Sequence, residues 1–183
     1  GRVHLAAAKI VTALAVFTVT FLIGMAVFLL ITDVTFGIEG LKASVQMLYS
    51  VLVIPALTIG QTQAVVTAGM FLSLLATVCC TLFLSARCKN IQDSLKIAVL
   101  LGLLPTIISM ISSANLAKLI RCILPSGGIG FTNSFLFEIL GTDFVHVGPA
   151  VIWTPYLIVG AAAIEIPLFL VLTVRIYCRR ESV

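Results

Sequence analysis

The chain has 183 residues, 61% of them hydrophobic and only 10% charged, with a formal net charge of +4; soluble proteins carry about 25% charged residues. Eleven basic and seven acidic side chains cannot cover this much apolar material, which excludes a soluble, secreted or nucleic-acid-binding protein. Where the positive charges fall therefore matters more than their sum.

A spanning helix needs about 20 mostly apolar residues, because each rises about 1.5 Å through a hydrocarbon core about 30 Å thick. Residues 10–32, between Lys9 and Asp33, are uncharged and rich in Val, Leu, Phe and Ala, and predict the first span. The next uncharged stretch, from Lys42 to Arg87, is interrupted by Pro55 and Gly60, so residues 61–85 predict the second. Residues 45–59, short and broken by Pro55, predict an interfacial or re-entrant piece and not a crossing. Gln61 lies near the outer end of the second span and is a candidate pathway residue; glutamines at such places more often join helices.

Asp93 and Ser94 can cap a third span over residues 95–112, which Pro105 should kink. Residues 113–149 are too long for a simple connector. Leu116, Leu119, Ile120 and Ile123 recur at helical spacing with Asn115, Lys118 and Arg121 on the other side, which predicts an amphipathic helix lying in the outer interface. Pro125, Gly127, Gly128 and Gly130 break it, and residues 131–140 form a second apolar piece too short to cross. The fourth span, residues 150–174, follows Gly148 and Pro149, with Trp153 and Tyr156 at one boundary and Arg175, Tyr177, Arg179 and Arg180 at the other.

The predicted fold is therefore an all-α membrane protein, a single transmembrane domain over residues 1–183. It has four transmembrane helices and an outer re-entrant or interfacial helical region between the third and fourth. Four crossings place Arg2, Lys9, Arg87, Lys89, Lys96, Arg175, Arg179 and Arg180 on one side, against Lys42, Lys118 and Arg121 on the other. By the positive-inside rule both termini are cytoplasmic. The full length of the first span, and the lack of a small-residue cleavage site after it, exclude a secretory signal. The chain begins with Gly1 and not Met, and the expectation is that it belongs to a longer protein.

Chemistry is sparse. Residues 126–130 lack the Gly-Lys-Ser/Thr ending of a phosphate-binding loop, and His4 and His146 lie on opposite sides with no clustered Cys/His set, so no cofactor and no metal site is expected. No Gly-x-Ser-x-Gly elbow is present, and no catalytic residue is assigned. Cys122 is the single thiol on the outer side, so no disulfide is expected there, and the five cysteines read as small apolar fillers. Glu165 is the one acid well inside a span, ten residues or about 15 Å before Arg175. A charge there costs at least about 2.5 kcal/mol, so Glu165 should be protonated, paired (with Lys96, for example) or facing a polar cavity. Pro167 nearby frees backbone carbonyls.

Together, the basic start Gly-Arg-Val-His-Leu-Ala-Ala-Ala-Lys before the first span, the Thr58-Ile59-Gly60-Gln61 opening of the second, the Ala86-Arg87-Cys88-Lys89-Asn90 turn, the Pro105 span, the outer region and the basic tail form a pattern. It resembles the C-terminal two-thirds of ABC-2 type transporter permeases, the membrane subunits of bacterial ABC exporters, of which peptide-resistance and lantibiotic exporters are the most similar subgroup. The resemblance implies that the four spans are the third to sixth of a six-span permease in the bacterial inner membrane. It implies no enzyme activity in this chain, a partner ABC ATPase, a second permease subunit completing a homo- or heterodimer, and a coupling helix whose tail would include Arg2 and His4. The alternatives are an ion-coupled secondary transporter using Glu165 and a non-transporting membrane scaffold or assembly protein.

Overall fold

In the computed structural model, which describes residues 2–48, 54–88, 90–130 and 134–180, the chain is mostly helical. Helix α1 runs Arg2–Phe36. Gly37 ends it with a φ of 77°, its N–H donating to the Asp33 carbonyl, a left-handed position that suits glycine. A 3-10 turn, Ile38–Lys42, and the short helix α2, Val45–Leu48, lead to α3, Ile59–Arg87. Ser44 pairs as an isolated bridge with Thr58, and part of the piece expected over residues 45–59 lies outside the described residues. Then come α4, Ile91–Ile111; α5, Asn115–Ile123; α6, Phe135–Leu140; strands β1, Phe144–Val147, and β2, Ala150–Trp153; and α7, Thr154–Arg180.

Four helical segments are long and apolar enough to cross a membrane: Ala6–Thr35, Ile59–Arg87, Gln92–Ile111 and Thr154–Cys178. They coincide with the four expected spans, with shifted ends. Helix α4 begins four residues earlier than expected. Asp93 falls inside its first turn, where a carboxylate suits the exposed N–H groups, and accepts a hydrogen bond from the Asn90 amide. The fourth span starts later than expected because residues 150–153 are a strand. Gly148, with a φ of 60°, and Pro149 turn the chain between β1 and β2, which pair antiparallel with Val147 opposite Ala150. The chain is thus not purely α-helical.

Ring contacts set the helix directions. Phe17 and Phe21 of α1 stack around Phe71 of α3, while Lys9 near the start of α1 lies 5.2 Å from the centre of the Tyr177 ring near the end of α7. Val66 and Met70 pack with Ile158, and Phe83 meets Phe169, so α3 and α7 run parallel along their most extensive contact. Helices α1 and α4 run the opposite way. The start of α1 and the end of α7 therefore share one end of the bundle.

At the middle of the bundle the connection between α4 and α7 folds back on itself. Helices α5 and α6 form a hairpin against α3, α4 and α7, and Cys122, Phe135, Ile139 and Ile158 make its buried core. Two glycines permit this docking: a Cβ at Gly69 would overlap the Phe135 ring, and one at Gly128 would lie 2.7 Å from the Ser73 hydroxyl. At the tip, the Thr77 hydroxyl donates to the Pro125 carbonyl and the Ser126 hydroxyl to the Leu101 carbonyl.

Helix α5 is amphipathic, as expected. Leu116, Ile120 and Ile123 point outward with exposures of 66%, 43% and 50%, while Arg121 and Cys122 are buried. The returning chain offers acids and a strand edge to this polar face, and those contacts outweigh the burial of three aliphatic side chains.

Candidate functional site

The polar face of α5 zips against the chain that returns from the hairpin. Asn115, Lys118 and Arg121 are spaced three apart, so they line one side of the helix. Their partners run in reverse order. The Asn115 amide donates to the His146 carbonyl and accepts from the His146 N–H, both at 2.7 Å. Lys118 pairs with Asp143. Arg121 Nη2 lies 2.8 Å from Glu138 Oε1, with 9% and 4% of the two side chains exposed. Beyond Asp143, the Thr154 N–H and hydroxyl both donate to its carbonyl, which ties the start of α7 into the same seam.

The innermost pair is incompletely satisfied. Arg121 Nε and Glu138 Oε2 are buried without hydrogen-bond partners. Burial raises the pKa of the Glu138 carboxyl, with the nearby Thr154 hydroxyl and the Arg121 charge pulling the other way. Burial, with help from Glu138, also pushes the neighbouring Cys122 thiol up to about 11, so it stays protonated and unreactive near neutrality. All five cysteines are free thiols.

The residues singled out from sequence lie far apart. Glu165 sits midway along α7, partly buried, close enough to Cys80 of α3 to act on it electrostatically. Its Oε2 is buried without a hydrogen-bond partner. Lys96, the partner suggested for it, lies instead 3.8 Å from Asp93 on the exposed face of α4. Gln61 caps α3: its side chain accepts from the Thr58 N–H at 3.1 Å while its own N–H donates to the Thr58 hydroxyl. Those two contacts form a local helix cap. His4 is exposed near the start of α1; Arg2 opens the same helix, and its side chain lies outside the described atoms. Among the described residues, no three His, Cys, Asp or Glu side chains come together as a metal site.

Sequence reasoning did not single out Glu138 or Ser126. Glu138 was legible as an acid inside a ten-residue apolar piece, a position that demands a partner. For Ser126 the signal was Pro105, whose missing N–H leaves a carbonyl in search of a donor. Compared with known protein families, with curated proteins and with solved structures, the chain matches none.

Proposed function

We propose that this chain is a membrane-spanning permease subunit of an ABC exporter, which lines the translocation path and is driven by a separate ATPase. One observation carries the reading: the helix hairpin between the third and fourth apolar helices brings irregular backbone to the level of Leu101, halfway along α4. Broken backbone at such depth is tolerated only against protein or a water-filled path, and discontinuous helices at mid-membrane are where transporters handle cargo. The four apolar helices of alternating direction support a multi-pass protein. The contact of Lys9 with Tyr177 supports having both termini on one side, the cytoplasmic side by the charge bias.

In this reading the chain supplies path and leverage and no bond chemistry. An ATPase closing on nucleotide presses on the start of α1 near Arg2 and His4. The Lys9–Tyr177 contact passes that displacement to the end of α7, and α7 carries it along α3 to the hairpin. Alternating access follows as rigid-body movement against a second permease half.

The test is co-purification of the full-length protein with its ATPase, followed by ATP hydrolysis in proteoliposomes. Stimulated hydrolysis, lost on Arg2→Ala/His4→Ala, supports the reading; no ATPase retained under any condition refutes it. Single cysteines placed at Gln92 and Thr142, both exposed, report the sidedness. An impermeant thiol reagent on intact cells should label position 142 and spare position 92, and the reverse pattern refutes the orientation.

A second reading, an ion-coupled secondary transporter, is favoured by the buried, unpartnered Oε2 of Glu165. Glu165→Gln then abolishes uptake or export with no ATPase involved. In the exporter reading the same change leaves ATP-driven transport within a few-fold of the native rate.

A further inference from the structure

Helix α4 passes through Pro105 without interruption. In an α-helix the carbonyl of Leu101 would accept from the N–H of residue 105, and proline has none. Leu101 stands ten residues, or about 15 Å, from either end of α4, so the freed carbonyl sits as far from bulk water as that helix allows. The Ser126 hydroxyl reaches it at 2.9 Å. The Pro105 ring and Ser126 are buried and Leu101 is half-buried. The cavity beside them, bordered by Thr77, Thr81 and Ser126, measures about 10 Å³, room for at most one water.

The other polar contact of the hairpin tip is of a different kind. Thr77 bonds back to the Ser73 carbonyl of its own helix at 2.8 Å and shares its single proton with Pro125 at 3.1 Å. Thr77 therefore has a local alternative and would lose little if the tip withdrew. Leu101 cannot fall back on an N–H of residue 105. A carbonyl without a donor is unfavourable in apolar surroundings, so α4 is incomplete until the tip arrives.

We propose that Pro105 creates a docking socket in α4, the Leu101 carbonyl, and that Ser126 is the positioning residue that fills it, fastening the tip of the α5–α6 hairpin to the middle of the bundle. The inference needs neither an ATPase nor a cargo, so its failure and that of the exporter reading are separate events.

A mutant cycle on the purified full chain in detergent tests it, read by thermal unfolding. Ser126→Ala in the native background should lower the melting midpoint by about 3–8 °C, the loss expected for stranding one half-buried carbonyl in a chain of this size. Residue 105 regains an N–H in Pro105→Ala, which closes the intrahelical bond to Leu101; adding Ser126→Ala to that background should lower the midpoint by less than a third as much. Equal losses in the two backgrounds overturn the proposal. Should Pro105→Ala fail to fold, amide exchange decides between native protein and Ser126→Ala. Faster exchange confined to Gly127 and Ile129, whose N–H groups close the turns at the tip, supports the socket; unchanged exchange there overturns it.

Discussion

Replacing Arg121 or Glu138 one at a time is the sharpest perturbation of the hairpin. Two unit charges 2.8 Å apart attract by about 6 kcal/mol at an effective dielectric of about 20, and desolvating two ions costs several kcal/mol each. The pair is therefore close to neutral in net stability. Half of it is not: a lone charge in this seam costs about 3–5 kcal/mol, or about 6–20 °C in the melting midpoint for a chain of this size. The two halves differ. Glu138 can take up a proton and become neutral, whereas a guanidinium cannot lose one. Glu138→Leu should thus be the more damaging single change near pH 5, and Arg121→Met should regain stability as pH falls. The double variant Arg121→Met/Glu138→Leu should return to within about 2 kcal/mol of the native protein. Trp153 is the single tryptophan, and its indole N–H donates to the Gly141 carbonyl just beyond α6, so its fluorescence during heating reports on this region directly. Single changes that each cost less than about 1 kcal/mol, or costs that simply add in the double variant, would refute the account of the seam.

Gly69→Ala should destabilise by about 1–3 kcal/mol, since the new methyl group meets the buried Phe135 ring. Phe135→Leu in the same chain should recover part of that loss, and thermal unfolding of the two variants and their combination measures it. The titration of Glu138 predicts a pH dependence with a definite sign. Its carboxyl is raised in the folded state from an ordinary value of 4.5, so above pH 4.5 the folded chain holds a proton that the unfolded chain has released. Stability then falls as pH rises through that window, and Glu138→Gln should flatten the slope of the melting midpoint against pH.

The four apolar helices were legible because lipid selects a simple composition. Any run long enough to cross, free of charge and bounded by Lys, Arg or Asp, stands out against the rest. The ends were less so. Thr58 and Gln61 extend α3 upstream through a reciprocal cap, yet the same Gln61 read alone looks like a polar group lining a path. Gly148-Pro149 suits a helix start as well as a strand turn, so the sequence alone does not separate residues 150–153 from the fourth span. What tips them into a hairpin is distant: Asn115 brackets the backbone of His146. Glu165 was found from depth alone, whereas its closeness to Cys80 depends on how α7 and α3 pack. The Arg121–Glu138 pair needed the loop to close before either residue had a partner.

Helix α5 shows why periodicity identifies an amphipathic helix without fixing what each face meets. A period of 3.6 reports that two faces differ, and which of them turns inward depends on the medium outside. Against water, Leu116, Ile120 and Ile123 would be the buried set. Their outward placement, with Arg121 turned in toward Glu138, is favourable when the surroundings are as apolar as leucine and the costly act is leaving a charge unpaired. Helix α1 is apolar on all sides and exposes Val11, Leu22, Ile23 and Leu30 in the same way. The two helices share this outward apolar character. A polar substitution at Ile120 would therefore cost more in lipid than at a water-facing site, because it would meet hydrocarbon with no partner near it.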